Sequence, residues 1–293
     1  MRLFIFGMGY TSQVIAGQLR AEGWAVKGTG RAGTTPFEDR AAVLSEIAAA
    51  SHVLSSVPPG RDGADPVLAA YGEALRAAPA SWIGYLSSTG VYGDTGGAWV
   101  DESAEIGSGR RTARAAADLG WQELGLDLGL DLGQNLGARV HVFRLPGIYG
   151  PGRSALDRVR AGHANRIALA GQVFSRVHVA DIATGVIAGF AGPPGIYNLS
   201  DDAPTSQNAV IEEAARLLGM PPPPLLSLEQ AALSPMAQAF YAENRRVANG
   251  RAKRLLGWRL RYPTYREGLR ALNATTSPSS ASAAPDPASS DQR

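Results

Sequence analysis

The apolar run Leu3–Phe6 stops abruptly at Gly7-Met8-Gly9-Tyr10-Thr11-Ser12, and a helical pattern begins at once. A strand that turns through two glycines into a helix commits a chain to a narrow set of parallel-sheet folds. Gly7 suits the tight turn, Gly9 lets a ligand approach the backbone, and Tyr10, Thr11 and Ser12 open the helix. The first N–H groups of a helix lack intrahelical partners and stand at the positive end of its dipole, so they bind phosphate. In this setting the Gly-x-Gly-x-x-small run predicts a pyrophosphate site for a dinucleotide, NAD or NADP, with Ser12 as the third small residue.

The rest of the first half keeps the same rhythm. Short β-type runs predict strands over 2–6, 24–29, 52–57, 82–87 and 139–145, with helices over 11–21, 37–48, 65–78 and 112–125. This alternation predicts an α/β, Rossmann-type doubly wound parallel sheet with helices on both faces. Beyond Pro151 the pattern predicts a hairpin over 166–179, a helix over 181–190 and a strand over 196–199. A helix over 206–218 follows, closed by Gly219 and stiffened behind by Pro221–Pro224, and further helices are expected over 228–241 and 248–256. The expected organisation is a nucleotide-binding domain over 1–150 and, mainly, a small C-terminal substrate lobe over 151–274 with segments returning to the sheet. A Ser/Ala/Pro/Asp tail over 275–293 has nothing to bury and is expected to be disordered. The repeat LGLDLGLDLG at 124–133 reads as an expanded loop or frayed helix end, since each glycine weakens a helix by up to ~1 kcal/mol relative to alanine.

The second strand ends in Gly28-Thr29-Gly30-Arg31, with no carboxylate before Glu38. An acid there would hold the ribose hydroxyls of NAD, whereas Arg31 suits a 2′-phosphate, so NADP is favoured and NAD remains open. The run Ser55, Ser56, Val57, Pro58 and Pro59 ends the third strand and is expected to wall the adenosine half. Lys plus Arg number 28 against 26 Asp plus Glu, interleaved along 293 residues, so no basic arm points to nucleic acid. No cysteine is present, which excludes disulfides and thiolate chemistry and fits a reducing cytosol. The four histidines (His52, His141, His163 and His178) lack metal-ligand spacing, and no Gly-x-Ser-x-Gly elbow occurs. The opening apolar run is too short for a signal peptide, and no run approaches a membrane span, so a cytoplasmic protein acting on a small molecule is expected.

Four further segments carry a family likeness. They are Leu86-Ser87-Ser88-Thr89-Gly90-Val91-Tyr92-Gly93, the run from Arg144-Leu145-Pro146-Gly147 through Gly152, Val177-His178-Val179-Ala180-Asp181, and Tyr197-Asn198-Leu199. In this order the chain resembles the extended short-chain dehydrogenase/reductase superfamily, in its atypical, nucleoside-diphosphate-sugar epimerase-like branch. The resemblance implies hydride exchange with a nicotinamide, Pro146 beside the cofactor, and a catalytic Ser, Tyr and Lys. Ser88 matches the serine. Aligning Asp118 with the acid common on the following helix sets Arg110 at the tyrosine and Arg114 at the lysine. The chain has two lysines, Lys27 and Lys253, and the residues four before them are Gly23 and Asn249, so Tyr-xxx-Lys occurs nowhere. A guanidinium stays charged below a pKa of about 12, so Arg110 is no acid at neutral pH, while Arg114 could inherit ribose contacts. Tyr92 and Tyr149 stand as substitute donors.

Where sugar-nucleotide enzymes often carry a diphosphate-binding arginine, this chain has Phe174, with Arg176 two residues on. His178 reads as structural and Asp181 as a helix-start residue satisfying free N–H groups. Arg245 and Arg246 read as a contact for an anionic substrate or as a solvated helix end. Two functions follow: an NADP-dependent oxidoreductase or epimerase-like enzyme using Ser88, or a non-catalytic NADP sensor.

Overall fold

The structure is a computed structural model that describes residues 1–60, 63–107, 112–131, 140–233, 238 and 240–276. The first half runs β1 (Arg2–Phe6), α1 (Tyr10–Ala21), β2 (Ala25–Gly28), α2 (Arg40–Ala49), β3 (His52–Ser55), α3 (Pro66–Ala77) and β4 (Trp82–Ser88). A 3-10 turn at Thr89–Tyr92 leads to β5 (Trp99–Val100), α4 (Thr112–Asp131), β6 (Val140–Leu145) and β7 (Gly147–Tyr149). Then come α5 (Ala155–Arg160), β8 (Arg166–Ile167), β9 (Arg176–His178), α6 (Val179–Ala188), β10 (Gly195–Asn198) and α7 (Gln207–Leu217). The last elements are β11 (Leu225–Leu226), β12 (Arg246–Val247), α8 (Gly250–Leu256) and α9 (Tyr265–Thr276).

Six strands form one parallel sheet in the order β10-β6-β4-β3-β1-β2. The order reverses at β1, which pairs with β2 on one side and β3 on the other, and a crevice opens at such a switch point. Period-2 side-chain alternation explains why helices cover both faces. Leu3 and Ile5 of β1 join one core with Ile15 of α1 and Ile182 of α6, while Phe4 and Phe6 join another with Val43 of α2 and Leu75 of α3. β4 divides likewise, with Trp82 and Leu86 to the first core and Ile83 and Tyr85 to the second. The second half of the chain thus supplies both an edge strand, β10, and a helix of the first core, α6. A third core of Tyr149, Leu156, Ile211 and Leu269 holds α5, α7 and α9 together as the lobe.

Helix starts are fixed by side-chain oxygens. Asp65 accepts from the N–H groups of Val67 and Leu68, both at 2.9 Å, and its other oxygen accepts from Trp121 Nε1 at 2.9 Å, tying α3 to α4.

Several expectations are corrected. The hairpin over 166–179 does not form: β8 pairs in parallel with β11, and β9 in parallel with β7, because each short strand finds its partner elsewhere in the lobe. Residues 228–232, where a helix was expected to begin, are turns. The repeat is no loop as far as Asp131, for α4 continues through it, with Leu124 buried and Asp127 paired with Arg76 at 3.1 Å. Asp181 is not the cap of α6: His178 is, its Nδ1 accepting from Ala180 N–H at 3.1 Å. The fully buried Asp181 carboxylate instead accepts from the N–H groups of Arg261 and Tyr262. Most of the tail, the end of the repeat and Arg110 lie outside the described residues. Among the described residues no helix is long and apolar enough to cross a membrane, and no cluster of His, Asp and Glu could hold a metal.

Candidate functional site

The glycine turn lies where the sheet order reverses. Gly7 has φ +85°, and a Cβ there would stand 2.9 Å from Ser56 Oγ, so both backbone and space require glycine. Gly7 N–H donates to Thr29 Oγ1 at 3.1 Å and Met8 N–H to the Thr29 carbonyl at 2.7 Å, which anchors the turn to the end of β2. On the other side Ser56 Oγ donates to the Gly7 carbonyl at 2.6 Å and receives Ser12 Oγ–H at 2.9 Å. Gly9 faces open space, with nothing within 4 Å of a Cβ built on it, and no side chain caps the start of α1. Its first donors are left for a ligand.

A cavity of about 280 Å³ runs from this turn along Gly9, Tyr10, Thr11 and Ser56 to Ser87, Ser88, Arg114 and Pro146. The lining combines an open glycine, an uncapped helix start, small side chains and the guanidinium groups of Arg114 and Arg153, donors of the kind that phosphate and ribose oxygens require. The structure therefore brings together Gly7, Gly9, Tyr10, Thr11, Ser12, Ser88, Arg114 and Pro146. Arg31 lies outside the cavity wall, exposed beyond Gly30, and makes no hydrogen bond or ion pair among the described residues. Gly30 itself packs beside the glycine turn, a Cβ on it standing 3.2 Å from Met8 N. Val57 packs against Gly7, and Pro58 is exposed. Ser55 is fully buried and does not reach the groove; the structure puts Ser56 there instead, because successive residues of a strand point to opposite faces.

Ser88 also lines a second, smaller cavity of about 90 Å³ with Pro146, Phe174, Phe240, Glu243 and Arg245. The Ser88 oxygen accepts from Gly90 N–H at 3.1 Å, which leaves its own hydrogen to donate to a ligand. Arg245 is paired with Glu243 at 2.8 Å, so it is not a free helix-end cation, and Arg246, in β12, donates to the Gly97 carbonyl.

Tyr92 is corrected as a substitute donor. It lines neither cavity; its hydroxyl donates to Asn198 Oδ1 at 2.8 Å and accepts from Arg144 Nη1 at 3.0 Å. Burial pushes its pKa up, with Arg144 opposing, so nothing activates the phenol. Arg144 in turn holds Asp118, which also accepts from Ser87 Oγ at 2.5 Å and Gln122 Nε2 at 2.6 Å. Tyr149 is buried too, and burial followed by Asp201 raises its pKa. Sequence reasoning named Ser56 only as part of the run after the third strand, and it missed Arg153. The guanidinium of Arg153 stacks 4.4 Å from the Tyr10 ring and borders the groove, but nothing in its surroundings in the sequence marks it.

No family model matches the chain. A protein of Streptomyces sp, a 3-diazoavenalumate denitrifying reductase, is 34% identical over 140 residues, which cover 44% of this chain and 45% of that protein. Less than half of the curated relative is therefore spanned. Among solved structures, a conserved protein of unknown function from Silicibacter pomeroyi DSS is 42% identical with TM-score 0.80, covering 94% of this chain and 98% of that one. Human epimerase family protein SDR39U1, solved with NADPH, is 17% identical with TM-score 0.71 over 94% and 99% of the two chains. The UDP-glucose 4-epimerase of Thermotoga maritima, solved with UDP-glucose, is 15% identical with TM-score 0.74 over 94% and 98%. The chain belongs to one family with the Silicibacter pomeroyi protein, and it shares its fold with the human epimerase family protein and the Thermotoga maritima epimerase.

Proposed function

We propose that the protein is an NADP-dependent oxidoreductase or epimerase-like enzyme acting on a small molecule. One observation carries this reading: Ser88 lines both the dinucleotide groove and the adjoining cavity, so a ligand in the second would meet the reactive end of a cofactor in the first. The Streptomyces relative, a reductase, and the NADPH of the human neighbour support it. When bound, the nicotinamide would supply or accept hydride. The chain's own residues then have three tasks. The uncapped start of α1 holds the pyrophosphate, Arg31 the 2′-phosphate, and Arg114 the nicotinamide ribose. Ser88 donates its hydroxyl hydrogen to a substrate oxygen and stabilises charge that develops there. Pro146, shared by both cavities, fixes the boundary between cofactor and substrate. A cytoplasmic setting is part of this reading and is compatible with a cysteine-free chain, with the dinucleotide and one small molecule as its partners.

The engagement of Tyr92 by Arg144 and Asn198 favours a second reading, a sensor that binds NADP without turnover. A screen of carbonyl compounds and sugar nucleotides with NADPH separates the two. Oxidation of NADPH that falls more than tenfold in Ser88→Ala, at unchanged cofactor affinity, supports the enzyme; tight NADPH binding with no oxidation by any compound supports the sensor.

A further inference from the structure

A third cavity, about 370 Å³, continues from the Ser88 cavity into the lobe, sharing Gly147, Phe174, Ser175 and Phe240 with it. Its charge is one-sided. Arg153, Arg158 and Arg176 line it, and the one carboxylate among its lining residues, Asp157, is already engaged, accepting from Ser154 N–H at 2.8 Å and Ser154 Oγ at 2.7 Å. The Arg158 side chain, at the rim, makes no hydrogen bond or ion pair among the described residues, and that of Arg153 only stacks on Tyr10. Arg176 is 6% exposed; its Nη2 donates to the Thr205 carbonyl at 3.2 Å, while Nη1 has no acceptor. Tyr149 Oη, buried on the same wall, lacks a partner as well.

Buried donors without acceptors are costly, a buried guanidinium without a paired anion more so. Asp201 Oδ2 and Arg176 Nη1 each lack a hydrogen-bond partner, and burial pushes the Asp201 carboxyl up to about 7, so near neutrality it offsets Arg176 only in part. Burial also holds the Arg176 guanidinium below its usual value. Between these donors and Ser88 stands an apolar waist, where the rings of Phe174 and Phe240 stack with centroids 5.3 Å apart.

We infer that this cavity receives the anionic end of the substrate, a carboxylate or a phosphate monoester, while the reacting oxygen lies at Ser88 and an apolar middle passes Phe174. The inference rests on the proposed function for the reaction at Ser88, but the anion site itself is testable by binding alone.

The test uses calorimetric titration of the full chain loaded with NADPH. The probes are 3-phenylpropionate, 2-phenylethyl phosphate and, as the neutral control, 3-phenylpropanol. At least one anion should bind ten or more times tighter than the alcohol, and the tighter of the two identifies the group as carboxylate or phosphate. Arg158→Ala, at the rim, should weaken that anion at least tenfold and leave the alcohol and NADPH unchanged. Arg176→Lys, checked for an unaltered thermal transition, should weaken it as well. Equal binding of alcohol and anions, or anion binding indifferent to both substitutions, overturns the site. Anion binding that behaves as expected while no compound oxidises NADPH upholds the site and removes the enzyme reading. Turnover of an anionic compound whose KM is unaffected by Arg158→Ala and Arg176→Lys upholds the enzyme and removes the site.

Discussion

The Arg144 guanidinium grips the Asp118 carboxylate through two hydrogen bonds, Nη2 to Oδ1 at 2.8 Å and Nε to Oδ2 at 3.1 Å, with the side chains 2% and 0% exposed. Removing one partner leaves a buried charge unmatched, at a cost of about 3–5 kcal/mol, whereas an apolar replacement of both can be nearly neutral. Asp118→Ala and Arg144→Met should each destabilise by that amount in urea unfolding. The double variant should lose clearly less than the sum. Additive losses would show that the pair is not coupled.

Tyr92 hangs from the same network, so Tyr92→Phe should act on stability. It leaves Arg144 Nη1 and Asn198 Oδ1 each short of a buried partner, an expected loss of about 1–3 kcal/mol. Turnover, where found, should stay within about threefold of the native value, in contrast to Ser88→Ala, where a lost donor costs about a hundredfold. A hundredfold loss in Tyr92→Phe with folding intact would return the phenol to the chemistry.

This network explains what the sequence disclosed and what it concealed. The sheet was legible because its strands are buried on both faces, as in Phe4 and Ile5, and each is followed by a helix of ordinary periodicity. The glycine turn was legible because Gly7 and Gly9 are set by local backbone geometry. The shared motifs were legible as likeness but not as role. Tyr92, Arg144 and Asn198 come from three of the matching segments, and they meet one another in the interior rather than a ligand. Only tertiary contact reveals this. The lobe was least legible, since strands of two or three residues such as β8 and β9 carry no period and take their partners from distant chain.

Arg31 follows β2 without a carboxylate beside it, exposed and unpaired among the described residues. NADPH should therefore bind at least tenfold tighter than NADH in fluorescence titration, and Arg31→Ala should erase most of the difference by weakening NADPH alone. A tenfold change corresponds to about 1.4 kcal/mol, within the range of one charge-assisted contact to phosphate. Equal affinities in the native protein would move the 2′-phosphate contact elsewhere or restore NAD.

His178 must stay neutral to cap α6, because its Nδ1 accepts a backbone proton. Burial first, and Arg261 second, lower its pKa to about 4. The unfolded value lies near 6.5, so the contribution is fully present above about pH 6.5 and is lost as pH falls toward 4, up to roughly 3 kcal/mol. Buried His52, also held at about 4, adds to the same slope, while Asp201 works against it, its raised pKa favouring the fold at low pH. His178→Asn keeps a capping oxygen without the titration. Its thermal midpoint should fall less than the native one between pH 6.5 and 4.5, and parallel slopes would assign the acid loss to other groups.

The period of the repeat in α4 makes a deletion unusually informative. Removing residues 126–129 joins Gly125 to Leu130, and the shortened chain again reads Leu-Gly-Leu-Asp, with Asp131 carried to the place of Asp127. Four residues are close to one helical turn of 3.6, so the change of phase beyond the junction is about 40°. Leu124, buried at 1% exposure, and Trp121 precede the cut and keep their packing. The pair with Arg76 is replaced rather than lost, and being 46% exposed on each side it contributes under about 1 kcal/mol in any case. The shortening is passed on to the residues between Asp131 and β6, and a change of four residues in chain length costs little wherever it is taken up by flexible chain. The deletion protein should therefore melt within about 4 °C of the native chain, a difference near 1 kcal/mol for a protein of this size, and bind NADPH unchanged. A larger fall in the melting temperature would mean that the helix beyond Gly125 carries packing of its own, tied to the position of each unit rather than to the unit's sequence.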